Sequence, residues 1–247
     1  MADLLSQDGR VAFVTGAARG IGAAVVRAFV EKGGRVAAFD RDGDGVTALC
    51  ASLGPRTLAL SGDVSRRADV EGAVAAVRAR WDRIDVLVNN AGVVRDATLR
   101  KATDEDWALT HDVNLKGAFL CGRAIAPGMA ERGWGRIVSA ASVVARTGNF
   151  GQSAYAASKA GIVGLTRTWA RELGGRGVTA NVVAPGFVDT DMLRGIPAPV
   201  LAETVARVPA GRLGRPEEVA SVYLFLASGH AGFVNGAVVG VDGGLRL

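Results

Sequence analysis

Two periods of apolar residues alternate along the chain. Short runs of consecutive apolar and β-branched residues recur at 10–15, 35–40, 56–60, 84–89, 136–140, 178–184 and 237–241. Runs this short, apolar at nearly every position, are the pattern of strands buried on both faces. Between them lie stretches with apolar residues three and four apart, the spacing of helices with one buried face. The clearest are 23–32, 66–81, 104–132, 153–174 and 216–228. Thr103 is placed to cap the long region at 104–132, and Pro127 is expected to break or kink it near its end. Pro216 suits the first position of the last helix. Residues 191–215 carry no strand pattern and contain three prolines, so a mobile substrate lid is expected at about 190–215.

This alternation runs from end to end without a linker, an internal repeat or a shift of composition. It predicts an α/β fold in a single domain, 1–247: a doubly wound parallel sheet of about seven strands with helices on both faces. Ligands of such sheets bind outside the carboxyl ends of the strands. The polar and glycine-rich segments that follow each strand are therefore the ones to read for chemistry.

The first is Gly16-Ala-Ala-Arg-Gly-Ile-Gly22. It stands between a strand and a helix, where glycines permit a tight turn (Gly16), close approach of a pyrophosphate (Gly20) and close packing of helix on strand (Gly22). Arg19 and Ile21 fill the loop. The second strand ends in Asp40, where a carboxylate hydrogen-bonds an adenosine ribose 2′-hydroxyl and repels a 2′-phosphate. Asp40 favours NAD; Arg19 and Arg41, which suit a phosphate, leave NADP as the other candidate. Asp40 is also placed to cap the helix that follows. The segment Ser142–Lys159 holds Tyr155 and Lys159 at i and i+4, on one face of a helix. An ammonium beside a phenol favours the phenolate, so Lys159 is expected to lower the Tyr155 pKa and fit it for proton transfer to or from an oxygen. Ser142 falls just past a strand end.

Composition narrows the class. Hydrophobic residues make up 49% and charged residues 21%, enough apolar material for a sizeable core. The formal charge is +5, but the basic residues are interspersed with acids and aromatics are only 6%, which argues against a nucleic-acid surface. Cys50 and Cys121 form no C-x-x-C, so a reducing cytoplasm is expected. The two histidines, His111 and His230, are isolated, and no metal site is expected. No apolar run is long enough to span a membrane.

These residues together resemble the compact single-domain branch of the short-chain dehydrogenase/reductases, a Rossmann-type fold, over essentially the whole chain. Thr15–Gly22 resembles that family's cofactor loop. Asn89–Gly92 (N-N-A-G), Asn114, Ser142, Tyr155-Ala-Ala-Ser-Lys159 and Pro185–Thr190 (P-G-F-V-D-T) match its other signatures in order and spacing. Among its members the chain looks most like 3-oxoacyl-(acyl-carrier-protein) and acetoacetyl-CoA reductases, which usually take NADPH. Asp40 departs from their pattern.

The resemblance implies an NAD(P)(H)-dependent oxidoreductase that interconverts a secondary alcohol and a ketone. Tyr155 is then the acid/base, and Ser142 holds the substrate oxygen. Lys159 holds the nicotinamide ribose, and Asn114 anchors a water. Asp63 and Val64 flank the adenine, and Asn90, Ala91 and Gly92 line the middle of the cofactor. Pro185, Gly186, Val188 and Thr190 border the nicotinamide. Val93, Val94, Val144, Asn149, Phe150, Gln152 and Phe187 would form a mostly apolar substrate pocket, with Arg146 or Arg194 available to an anionic group. A homotetramer built on the long helices is implied as well. The alternatives are a thioester reductase using NADPH and, from another class, a dinucleotide-binding sensor without turnover. Ser139, Ser153 and Ser158 read as packing or capping residues, Asn89 as a brace at the sheet edge, and His111 as a helix-surface residue.

Overall fold

The computed structural model describes residues 4–193 and 198–245. Their strands are β1 (Val11–Thr15), β2 (Arg35–Asp40), β3 (Thr57–Ser61), β4 (Val86–Asn89), β5 (Gly135–Ala140), β6 (Val178–Pro185) and β7 (Val238–Val241). All seven lie in one parallel sheet in the order β3-β2-β1-β4-β5-β6-β7. The chain winds outward from β1 in one direction and from β4 in the other, so the carboxyl ends of β1 and β4 flank the switch point where ligands of such sheets bind.

Alternate side chains of each strand enter different cores. Ala12, Val14, Val88, Val138 and Val183 pack with α1 (Gly20–Glu31) and α9 (Pro216–Ala227). Phe13, Leu87, Ile137 and Ala180 pack with α3 (Arg67–Trp81) and α5 (Gly117–Glu131). Both faces of the sheet are therefore covered, which is why the strands read as unbroken apolar runs. Helix α7 (Ser153–Leu173) lies on the α5 side. Gly122 lets the two helices approach: a Cβ there would sit 2.5 Å from the Trp169 ring.

Several boundaries differ from the sequence expectation. The region 104–132 is α4 (Asp104–His111), a π-turn (Asp112–Lys116) and then α5. Thr103 caps α4, accepting the Asp106 N–H at 3.2 Å. Pro127 does not end α5, which continues to Glu131. In the turn before it, Arg78 of α3 donates to the Ala124 carbonyl at 3.1 Å. The cap of α2 (Gly43–Leu53) is Asp42, not Asp40. Asn89 is not at the sheet edge: β4 is an inner strand, and the Asn89 amide donates to Ser139 on β5 at 3.2 Å. Two helices had no counterpart in the reading of the pattern, the short α6 (Val144–Thr147) and α8 (Ala198–Ala206).

Helix α8 lies inside the segment expected to be a lid. That segment is tied at its base, where Gly214 donates to the Phe187 carbonyl at 2.9 Å, and again where Ala210 donates to the Gly243 carbonyl at 3.0 Å. Arg194 lies outside the described residues. Among the described residues no helix is long and apolar enough to cross a membrane.

Candidate active site

A cleft opens at the carboxyl ends of β1, β2 and β4. Its wall includes Gly16, Arg19, Gly20, Ile21, Asp40, Arg41, Asp63, Val64, Asn90, Ala91, Gly92 and Thr190. Gly16 has φ +64°, and a Cβ there would lie 2.7 Å from the Ala91 Cα, so this turn can be made only by glycine. A Cβ on Gly22 would run into the Gly16 carbonyl oxygen, which explains the third glycine by packing alone. The Asn90 amide ties the loop to β4, donating to the carbonyls of Thr15 and Gly16 at 3.1 Å each. Helix α1 begins at Gly20, and its N-cap, Arg19, makes no side-chain hydrogen bond to the first turn. The first-turn N–H groups thus stand at a glycine-walled cleft without a side-chain acceptor, an arrangement that fits a pyrophosphate.

At the other end of the cleft, Asp40 accepts the N–H groups of Ala18 and Asp42 at 2.9 Å each. These bonds fix its carboxylate between the glycine loop and the start of α2. Asp63 accepts both the N–H and the hydroxyl of Ser65. Burial pushes the Asp63 carboxyl up, but the Ser65 hydrogen bonds and the charges of Arg41 and Arg66 outweigh it and leave it below the ordinary range. Two carboxylates and two guanidiniums therefore share this end of the cleft.

Six residues expected at the cofactor lie off that wall: Gly22, Tyr155, Lys159, Pro185, Gly186 and Val188. The last three act from behind. Pro185 accepts the Val143 N–H at 3.1 Å, and Gly186 donates to the Val241 carbonyl at 3.0 Å. Val188 is buried in the core, and its carbonyl accepts the Thr190 hydroxyl at 3.3 Å. Phe39, Gly62 and Val113, which were not anticipated, complete the wall together with Val93, Asp191 and Met192, which were expected at the substrate pocket and its lid. Phe39 and Gly62 immediately precede Asp40 and Asp63, and that adjacency was the available signal.

Beyond Gly92 the cleft meets the Tyr155 helix. Lys159 is buried, and its ammonium donates to the Ala140 carbonyl at the end of β5, 2.9 Å away. It lies 5.7 Å from the centre of the Tyr155 ring. A Cβ on Gly92 would stand 3.3 Å from the Asn114 Oδ1 and 3.4 Å from the Lys159 Nζ, so Gly92 lies between the cleft wall and these two groups. Asn114 sits in the π-turn. Its Oδ1 accepts the Val93 N–H at 2.8 Å, and its Nδ2 donates to the Val93 carbonyl at 3.0 Å and the Ser158 hydroxyl at 3.1 Å. The amide is thus a brace between the β4 loop and α7, with a single Oδ1 lone pair left for water. Ser158, read as a packing residue, is one anchor of that brace.

The pKa directions differ from the sequence expectation. Burial pushes the Lys159 ammonium down to about 8. Burial pushes the Tyr155 phenol up; the hydrogen bond from Ser142 lowers it and the charge of Asp96 raises it, and the net direction is up. Removal from water disfavours ammonium and phenolate alike, so burial outweighs the pairing that the i, i+4 spacing suggested.

The expected substrate pocket is more polar than its sequence. Val144 is buried, and Phe150 is exposed. Gln152 donates to the Asp96 carboxylate at 3.0 Å and accepts the Asn149 amide at 3.1 Å. Arg146 faces a second cavity, together with Ser142, Thr147, Arg167 and Asp242. The Phe187 carbonyl accepts the Gly214 N–H at the lid base, and Val94 is half-buried.

A family model described as enoyl-(acyl carrier protein) reductase matches residues 16–246. The 3-oxoacyl-(acyl-carrier-protein) reductase of Thermotoga maritima is 43% identical over 247 residues, which cover 97% of this chain and 99% of the relative. A hydroxy(phenyl)methylsuccinyl-CoA dehydrogenase subunit of Thauera aromatica is 43% identical over 241 residues, covering 96% and 97%. A crystal structure from Beutenbergia cavernae superposes with a TM-score of 0.93 at 38% identity, over 98% of this chain and 99% of that one. It is described provisionally as an NAD(P)-dependent gluconate 5-dehydrogenase and holds NADP at low occupancy.

The low Lys159 pKa makes a sign-definite prediction. Below about pH 8 the ammonium is already charged; between there and the ordinary lysine range the free protein has lost this proton. The ribose oxygens and phosphates of a bound dinucleotide favour the charged form. Calorimetry in buffers of different ionisation enthalpy should therefore show proton uptake on dinucleotide binding at about pH 9 and little at about pH 7. Uptake that is equal at both, or unchanged in Lys159→Met, would remove Lys159 from the cofactor.

Proposed function

The chain belongs to the short-chain dehydrogenase/reductase family and is an oxidoreductase acting on CH–OH groups, and on that premise we propose that Tyr155, Ser142, Lys159 and Asn114 carry out the interconversion of a ketone and a secondary alcohol. The carrying observation is a juxtaposition. Tyr155, within hydrogen-bonding reach of Ser142, stands beside a buried ammonium that is separated from the glycine-walled cleft only by Gly92.

When bound, the nicotinamide supplies or accepts the hydride. In reduction Tyr155 gives its proton to the carbonyl oxygen, and Ser142 donates a hydrogen bond to the same oxygen as negative charge develops there. In oxidation the phenolate removes the hydroxyl proton. Lys159 holds the ribose hydroxyls of the nicotinamide half. Asn114 keeps the β4 loop and α7 at the spacing this requires, with its free lone pair holding water. Gly16, Gly20 and the first turn of α1 take the pyrophosphate.

For the substrate we favour a 3-oxoacyl thioester or a similar neutral ketone. The names of two relatives describe a carrier-protein thioester and a CoA thioester, and the exposed Phe150 beside Gln152 offers apolar surface for an acyl chain. For the dinucleotide, the comparisons do not support the NAD preference read from Asp40; the solved relative holds NADP. We propose that Arg19 and Arg41 accept a 2′-phosphate while Asp40 opposes it. Leu115, Phe119 and Leu165 line an open apolar face between the π-turn, α5 and α7, which supports assembly of the subunits through these helices into a homotetramer.

Tyr155→Phe should abolish ketone reduction while leaving dinucleotide affinity within about twofold, read by steady-state rates and fluorescence titration. Substantial residual turnover would remove the acid/base role, and binding without turnover in the parent protein would make the chain a sensor. Asp40→Ser should raise the ratio of kcat/KM for NADPH over NADH by about tenfold or more. An unmoved ratio would place Asp40 away from the ribose. Light scattering should give the mass of four chains; a monomer would refute the assembly.

A further inference from the structure

The second cavity, about 730 Å³, opens beside Ser142 and shares no wall residue with the dinucleotide cleft. Its size suits a small organic ligand. The floor is apolar: Ala141, Ala184 and Leu245 line it and are buried. One side is a face of α7 formed by Ala160, Val163 and Arg167, three and four positions apart. Another side is the turn after β5 that carries Ser142 and Arg146. Backbone bonds hold this turn in place. Val143 donates to the Pro185 carbonyl, Ala145 to the Ser142 carbonyl and Arg146 to the Val143 carbonyl, each at 3.1 Å.

Arg146 and Arg167 are exposed, and among the described residues neither guanidinium has a hydrogen-bond or ion-pair partner. Exposed arginines elsewhere do find carboxylates: Arg95 pairs with Asp106, and Arg212 with Glu218. Asp242 is the acid on the cavity wall. Its Oδ1 accepts the Gly244 N–H at 3.0 Å, and it forms an ion pair with neither arginine. Two guanidiniums against one carboxylate leave the wall with an excess of positive charge above an apolar floor. A guanidinium presents paired N–H groups that match a carboxylate or a phosphate. We propose that the cavity is an organic-anion site. Arg146 and Arg167 hold a carboxylate or phosphate, the apolar body of the ligand lies on Val163, Ala184 and Leu245, and its occupancy acts on Ser142 through the shared turn. The anion is either the far end of the substrate or a separate ligand. The inference rests on the role given to Ser142 above and adds the chemical class of what lies next to it.

Calorimetry on the dinucleotide-saturated enzyme, in which the glycine loop and Arg19 are already occupied, tests the site with hexyl phosphate, hexanoate and hexanol. Hexyl phosphate and hexanoate should bind, and hexanol about tenfold more weakly. Arg146→Met and Arg167→Met should each weaken hexyl phosphate by about tenfold, and Arg146→Lys by less. Equal binding of hexanol, or an affinity for hexyl phosphate unmoved in the folded double variant, would overturn the site. Absence of binding to the parent would overturn it too; a smaller assembly of the double variant by light scattering would then assign the arginines to contact between copies of the chain. Kinetics separate the two sources of the anion. If it belongs to the substrate, hexyl phosphate competes with a ketone that ends in a carboxylate, and the double variant loses the preference for that ketone over its methyl ester. If it is a separate ligand, hexyl phosphate changes kcat for the methyl ester, and the double variant loses that effect. Binding with neither effect would sever the site from Ser142 and overturn the proposal. If the parent protein reduces no ketone, the reading of the active site fails, while the calorimetry still decides whether the cavity takes an anion.

Discussion

A lysine ammonium held out of water near the carboxyl end of β5 is the constraint around which this site is organised. A buried cation is tolerated only when oxygen atoms surround it. Lys159 has the Ala140 carbonyl as one partner, and the Asn114 Oδ1 stands across Gly92 from it. Helix α7 must dock on the sheet at a fixed height for that bond to form. The same docking puts Tyr155 above the cleft and Ser158 against the Asn114 amide. Asn114 reaches both because the chain around it adopts a π-turn, which shifts side chains relative to an α-helical register. One buried charge thus links the end of β5, the β4 loop and the interruption between α4 and α5.

The two ends of the cleft solve different electrostatic problems. At the glycine loop, the cleft is walled by Arg19 and by first-turn backbone N–H groups without a side-chain acceptor. At the β2 end, Asp40 is pinned by two backbone N–H groups, and Asp63 lies under the charges of Arg41 and Arg66. Between this end and Tyr155 the wall of the cleft is made by the Asn90–Val93 segment.

Much of this was legible in one dimension. Buried parallel strands leave apolar runs, so all seven strands were found to within a residue or two. The carboxyl-end rule then gathered Gly16, Asp40, Asp63, Asn90 and Ser142 on one side of the sheet. What escaped has a common cause. Helix α8 was hidden by Pro199, which reads as a breaker although a first turn accepts it. Pro127 looked like a break because its missing N–H is visible in the sequence, whereas the packing of α5 that carries the helix on to Glu131 is not. The Asp96–Gln152 contact joins residues far apart in the chain, and neither belongs to a recognisable motif.

Local pattern and residue chemistry by themselves determined the layered α/β architecture, the glycine loop that a dinucleotide requires and the Tyr155–Lys159 face. Each depends on a periodicity or a side-chain type that neighbouring positions supply. Only the tertiary structure decided the protonation directions of that pair, the bracing role of Asn114 and the polar mouth made by Asp96, Gln152 and Asn149. A pKa depends on how much water surrounds a group and on which charges face it, and a side-chain amide depends on partners brought in from other elements. Those quantities exist only once β4, β5 and α7 have come together.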